Sequence, residues 1–214
     1  MTYNIISSGS EGNAVLLSCG ILIDCGVSFK KLKDIASHIK LIFLTHEHSD
    51  HLKLSTLKRL LEEYPKIKVA CSEFLLPKLQ ELPLKKIRVL PVGALVSWGP
   101  FQSQSFPLHH DVPNVGWKIW EKGTSLIYAT DTVSMRDVVA KDFDYYLIEG
   151  NYKESEIKEK MIRKMRNGEY VYEHRVLQTH LSEEKAIAWL MEMMGEHSRY
   201  ELIHQHKDRA ETVA

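Results

Sequence analysis

The chain has 214 residues, enough for one sizeable hydrophobic core or two small ones. Its 28 basic and 28 acidic residues cancel, so no overall field draws it to nucleic acid or anionic membrane, and any polyanion contact must be local. Residues 1–20 lack the pattern of a secretion signal, no apolar run approaches the roughly 18 residues that span a bilayer, and Cys19, Cys25 and Cys71 show no metal-site spacing. These features predict a cytoplasmic protein with free thiols and no membrane partner.

Residues 3–7 read as a short strand, followed by the glycine-rich turn Ser8-Gly9-Ser10-Glu11-Gly12-Asn13. That turn lacks the lysine of a P-loop and leads into a strand, so a hairpin is expected and a nucleotide cofactor is not. Strands follow at 14–18 and 21–24. Asp24, just before Gly26, either orients a metal ligand from behind or caps a helix starting near Ser28. The pattern then predicts a helix over 28–38, a buried strand over 41–45 and a helix over 52–64. That last helix carries Leu54, Leu57, Leu60 and Leu61 on one face and is ended by Pro65. A strand at 67–71 and a helix at 74–82 come next.

From 87 to 129 the pattern changes to short strands, at 87–91, 94–98, 102–108, 116–121 and 125–129. A strand at 143–149, a charged helix at 154–166, a helix capped by Ser182 running to about Met194, and a strand from 200 to 204 or 206 complete the chain. No linker or low-complexity segment interrupts it, so one domain of mixed strands and helices over 1–214 is expected.

The densest chemistry is Thr45-His46-Glu47-His48-Ser49-Asp50-His51, directly after the apolar run 41–44. Residues two apart at a strand end project to the same side, so His46 and His48 can reach one ion together. Asp50 and His51, placed in the first turn of the following helix, can turn back on a second. Imidazole with carboxylate suits zinc, with manganese or iron as alternatives. A bland reading would leave surface histidines and a helix-capping Asp50, but four potential ligands in six residues favours metal. Further candidates sit at predicted strand ends: His109-His110-Asp111, then Thr130-Asp131-Thr132, then His204-Gln205-His206.

These motifs in this order resemble the metallo-β-lactamase-fold hydrolases over nearly the whole chain. The segments Ser8 to Asn13, Leu22 to Gly26, Thr45 to His51, Tyr128 to Thr132, Leu147 to Asn151 and Thr179 to Ser182 look like its small WalJ/YycJ-like branch, related to ribonuclease Z. The resemblance implies an α/β (α+β) fold, a four-layer αβ/βα sandwich of two mixed sheets with helices outside. It implies one ion held by His46, His48 and His110, another by Asp50, His51 and a late histidine, and Asp131 between them. For the late ligand His206, with its polar tail, is preferred over His204. Glu149 and His180 fall where the family pattern places catalytic residues beside the metals, and Asp50 is a candidate proton acceptor.

The expected activity is dinuclear-metal phosphodiester hydrolysis of DNA or RNA through a metal-bridging hydroxide, with zinc first and manganese second. The alternative is a small-molecule ester, lactone or thioester hydrolase using the same ions. Lys158, Lys160, Arg163, Lys164, Arg166 and Arg175 offer local positive charge near His180, although Glu154, Glu156 and Glu159 share the same helix.

Overall fold

A computed structural model describes residues 1–205. The first sheet has the order β1 (Tyr3–Ser7), β2 (Ala14–Leu17), β3 (Ile21–Ile23), β4 (Leu41–Phe43), β5 (Lys68–Cys71) and β6 (Ile87–Val89). Strands β1 to β3 are antiparallel neighbours, whereas β3 to β6 run parallel. The second sheet is built from β7 (Leu95–Ser97), β8 (Phe101–Leu108), β9 (Asn114–Glu121), β10 (Thr124–Ala129), β11 (Tyr145–Glu149) and β12 (Arg199–Ile203). Here β7 to β10 are antiparallel and β10 to β12 parallel.

Side chains alternate between the faces of each strand, and this alternation builds the layers. Ile21, Ile23, Leu41 and Phe43 point between the sheets, where they meet Trp117, Ile119, Leu126, Tyr128 and Leu147. Phe43 stacks on Trp117 with ring centroids 4.3 Å apart. The opposite-facing Leu22, Ile42 and Val69 pack under α1 (Phe29–Leu32) and α2 (Leu54–Glu63), the latter through Leu57, Leu60 and Leu61. On the far side Tyr146 and Ile148 are covered by α6 (Glu183–Met193) through Ala186, Trp189 and Leu190. Strands buried on both faces read as continuous apolar runs, which is why 41–44 and 145–148 carry no polar alternation. The layering is the αβ/βα sandwich expected from the sequence. No helix among the described residues is long and apolar enough to cross a membrane.

Several helices differ from expectation. The predicted helix over 28–38 is α1 followed by a separate 3-10 turn at Ala36–His38. That over 74–82 is a 3-10 turn at Glu73–Leu75 and the single turn α3 (Leu76–Leu79), where Pro77 suits only a helix start. The helix expected from Leu52 begins at Leu54, because Leu52 forms a parallel bridge with Cys25 that keeps it extended. Asp50 and His51 therefore lie in a turn ahead of the helix rather than in its first turn. The charged helix α4 (Glu154–Arg166) has the predicted bounds, with Ile157 as its buried residue. A short helix, α5 (Glu173–Thr179), was not anticipated; it buries only Glu173 and Thr179 and so has no apolar period to betray it.

The consequence for function is directional. The carboxyl ends of β3, β4 and β5 and those of β10, β11 and β12 open onto one rim, the usual place for a crevice in α/β sheets.

Candidate metal centre

The loop after β4 carries its histidines over this rim, and its path is fixed by backbone contacts. Asp50 carbonyl accepts from the Asn13 backbone N–H at 2.7 Å and from Asn13 Nδ2 at 3.1 Å. Gly26 lies against the same peptide: a Cβ there would stand 1.7 Å from the Asp50 carbonyl oxygen, so only glycine fits. The glycine-rich turn at 8–13, read above as a plain hairpin, is thus a brace for the loop. Its Ser8 Oγ also accepts from the His204 backbone N–H at 2.7 Å.

Three donor groups converge. His46, His48 and His110 offer ligand atoms within 4.8 Å of one another, as do Asp50, His51 and His204. Asp131 stands between the two sets: its Oδ2 is 3.6 Å from His46 Nε2 and 2.6 Å from His51 Nε2, and its Oδ1 is 3.4 Å from His204 Nε2. Most of these rings are tied back through the nitrogen that faces away. His51 Nδ1 donates to Asp24 Oδ2 at 2.7 Å, His110 Nδ1 to the Thr179 carbonyl at 2.9 Å, and His46 Nδ1 lies 3.0 Å from Thr45 Oγ1. Pinning one nitrogen in this way sets the tautomer and leaves the other as a bare ligand atom.

His46 Nε2 is buried and has no hydrogen-bond partner among the described residues, and the buried Asp131 Oδ2 faces it with His51 Nε2 at its other side. A buried polar atom without a partner is costly, and a bare imidazole nitrogen 3.6 Å from a buried carboxylate oxygen fits a divalent cation. The donor set, imidazole nitrogen with carboxylate oxygen, suits zinc or manganese.

The electrostatics follow from burial and crowding. Burial pushes His46 well below the ordinary imidazole range, and it lowers His110 and takes His204 down to about 3. These rings are neutral and have lone pairs to give. Burial also opposes the Asp131 anion, but His51, His204 and the His180 hydrogen bond outweigh it and hold that carboxyl well below the usual range. His51 stays well above its ordinary value despite burial, because Asp131 and Asp24 flank it.

Asp24 has the first of its two proposed roles. It is fully buried and accepts from the Thr45 backbone N–H at 2.9 Å as well as from His51, while Ser28 begins α1 without it. Asp24, Asp131 and His204 all adopt left-handed backbone, with φ of 62°, 52° and 55°. Aspartate tolerates that region better than most residues, and the sharp turn re-aims each side chain at the strand end.

His180 and Glu149 form a pair beside Asp131. His180 Nδ1 donates to Glu149 Oε1 at 2.6 Å and lies 3.2 Å from Asp131 Oδ1. Burial would lower His180, but the hydrogen bonds to Asp131 and Glu149 hold it up at about 10. Burial lifts Glu149 to about 7 against the pull of His180. Glu149 is 0% exposed and also accepts from the Thr132 and Leu181 backbone N–H groups, so it can act only through His180.

Of the sequence candidates, His46, His48, Asp50, His51, His110, Asp131, Glu149 and His180 come together here. His206 lies outside the described residues, and it is His204 that stands against Asp131 and His51. His109 turns away to the exposed Asp137. The cleft over the cluster encloses about 380 Å³ and is walled by Tyr172, Arg175, Val176 and Thr179 of the α5 segment, none of which the sequence singled out as a wall. The helical cations near His180 are less available than their number suggests. Lys164 Nζ lies 2.7 Å from Glu173 Oε1, and Arg175 is paired to Asp111 at 2.6 Å.

A family model described as the beta-lactamase superfamily domain matches residues 20–205. An exodeoxyribonuclease YycJ of Bacillus anthracis is 25% identical over 169 residues, covering 70% of this chain; the chain spans 62% of that relative's length. Among solved structures, the metallo-beta-lactamase fold protein YhfI from Bacillus subtilis aligns with a TM-score of 0.75 at 17% identity, covering 98% of this chain and 88% of the other. The short form of human tRNase Z aligns with a TM-score of 0.68 at 18% identity, covering 96% and 93%. The chain belongs to the beta-lactamase superfamily and has the metallo-β-lactamase fold.

Proposed function

We propose that this protein is a two-metal phosphodiesterase that cleaves DNA or RNA, with zinc or manganese as its ions. The observation that carries the reading is the partnerless buried His46 Nε2, 3.6 Å from the buried Asp131 carboxylate, which stands between the two donor sets beneath an open cleft. His46, His48 and His110 would hold one ion and Asp50, His51 and His204 the other, with Asp131 shared. Divalent ions at such a site lower the pKa of water toward about 7 and offset the charge that builds on phosphoryl oxygens.

The chain's own groups divide the remaining work. Asp50, half-buried beside His51, is placed to accept a proton from the attacking water. His180 lines the cleft with Nδ1 committed to Glu149, so Nε2 is the nitrogen free to protonate the departing oxygen. As the new P–O bond forms and the old one breaks, one proton leaves the water and another reaches the leaving group. Nucleic acid as substrate is supported by the likeness to an exodeoxyribonuclease.

The test is metal analysis of the purified protein, followed by assays with added zinc or manganese. Substrates are bis(4-nitrophenyl) phosphate and single- and double-stranded oligonucleotides. Two ions per chain and diester hydrolysis are expected. Full activity in metal-free Asp131→Ala protein would falsify the mechanism. Hydrolysis of a thioester or lactone with none of the diesters would move the assignment to the small-molecule reading.

A further inference from the structure

The sandwich has a second polar opening at the rim opposite the metal centre. It lies where the amino ends of β4, β5 and β6 meet the turn between β7 and β8. The groove encloses about 620 Å³, larger than the metal cleft. Lys40, Lys68, Lys85, Lys86 and Arg88 line it, and no carboxylate does. In a chain of zero net charge such segregation of one sign concentrates a local field.

Lys86 is engaged, its Nζ donating to the Leu61 carbonyl in α2. Lys40, Lys68, Lys85 and Arg88 take part in no ion pair among the described residues. This distinguishes them from Lys164 and Arg175 near the metal centre, which are already paired with acids. Glu121, at the end of β9, bears on the Cys19 thiol at the groove's edge.

The cations are ordered by the sheet. Lys68 is the register partner of Leu41, next to Lys40, and Arg88 is the partner of Ala70 on the next strand. Neighbouring strands lie about 4.8 Å apart, so three of them carry a row of positive charge across roughly 10 Å. One wall is aromatic. The Arg88 guanidinium caps the Trp98 ring at 4.5 Å, and Trp98 is fixed by its Nε1 donating to Ser103 Oγ at 2.8 Å and by stacking on Phe101.

We propose that this groove binds single-stranded nucleic acid, with backbone phosphates on Lys40, Lys68 and Lys85 and a base against Arg88 and Trp98. A lysine row beside an arginine–aromatic platform is how single strands are held without sequence preference. A duplex offers no open base face to that platform. The inference rests on the proposed function for its substrate class and adds a second anchoring site to it. From Lys40 to Thr45 the chain runs five residues, roughly 17 Å at strand rise, so a short substrate in the metal cleft leaves the groove empty. Long strands engage both rims and short ones do not.

The experiment measures fluorescence anisotropy of labelled dT30 and dT5 with metal-loaded protein, against the variants Lys68→Glu/Lys85→Glu and Arg88→Ala. Lys68 and Lys85 are exposed, and circular dichroism checks that the variants fold. The double variant should bind dT30 about tenfold more weakly, with the slope of log affinity against log salt reduced by about 1.4. Binding of dT5 should weaken less than that of dT30, and hydrolysis of bis(4-nitrophenyl) phosphate should not change. Arg88→Ala should weaken dT30 more than inorganic polyphosphate of equal charge, because both lose one cation but only dT30 loses a face for its bases. Unchanged dT30 binding in the double variant overturns the proposal. So does polyphosphate matching dT30 with no effect of Arg88→Ala, which would make the groove a plain anion site. The strands carry phosphorothioate linkages, which resist cleavage, so failure of the wild-type protein to hydrolyse any diester would sink the proposed activity while this result stays readable.

Discussion

One pair of β-sheets supports two rims of opposite character. Where β3 to β5 and β10 to β12 end, six imidazoles and several carboxylates pack so closely that almost every one touches another. Where β4, β5 and β6 begin, four cations stand in solvent with no acid paired to them among the described residues. Burial is the difference. A charge taken out of water requires a partner, so the metal rim is an interlocked network in which most of the candidate ligands are braced by another residue. An exposed ammonium needs no partner, so the basic rim has no network and its members can be exchanged singly.

This contrast sets the size of each mutational effect. The largest should come from Asp131→Ala, which removes the group shared by both donor sets. We expect loss of bound metal and abolished turnover, with far-UV circular dichroism retained; inductively coupled plasma analysis and the diester assay check both. Gly26→Ala should act almost as strongly from outside the ligand set, because its Cβ would strike the Asp50 carbonyl. Unaltered metal content in that variant would mean that the loop is far more compliant than its contacts imply.

The next effects separate ligands from the residues behind them. His180→Ala should lower kcat by about 10² to 10⁴, the usual range for loss of a general acid, with metal stoichiometry unchanged. Glu149→Gln should cost about 10- to 100-fold and shift the alkaline limb of the pH–rate profile, since it acts by positioning and charging His180. Asp24→Asn should weaken metal affinity by a similar 10- to 100-fold through His51, without touching any ion. Equal kcat losses in Glu149→Gln and His180→Ala would argue that the two behave as one unit rather than as donor and support.

The same contrast explains what could be seen in the sequence. The cluster from His46 to His51 was legible because its candidate ligands are adjacent in the chain, and His110 and Asp131 because they end apolar strands. The sandwich was legible because buried parallel strands write uninterrupted apolar runs. Asp24 could not be settled from sequence, since its partner His51 is 27 residues away. The placement of His204 against Asp131 and His51 could not be read either, because it depends on a left-handed turn that ends β12. The helix α5 hid for lack of an apolar face. The basic groove hid more completely: Lys40, Lys68, Lys85 and Arg88 are scattered over nearly fifty residues, and only strand register brings them together.

The smallest effects use the cysteines as reporters, since Cys19 and Cys25 flank β3 at the two rims. Cys19 lines the basic groove and is partly exposed, whereas Cys25 and Cys71 are buried. Burial pushes Cys25 up to about 12, helped by Asp24, and Cys71 up to about 11. At pH 8 iodoacetamide should therefore label Cys19 slowly and spare the other two until the protein is unfolded, as peptide mass mapping would show. Bound dT30 should slow Cys19 labelling and leave the others unaffected; equal labelling with and without dT30 would weaken the case for the groove.

The raised values also fix the sign of a pH effect. Unfolded thiols ionise near about 8.5 while the folded ones stay neutral, so their contribution to stability is intact below that pH and is lost as pH rises toward the folded values. By pH 10 the loss should be on the order of 1 kcal/mol per buried thiol. A urea midpoint that falls between pH 7 and pH 10, and falls less in Cys25→Ala/Cys71→Ala, is the expected result. An identical fall in that variant would assign the alkaline sensitivity to other groups.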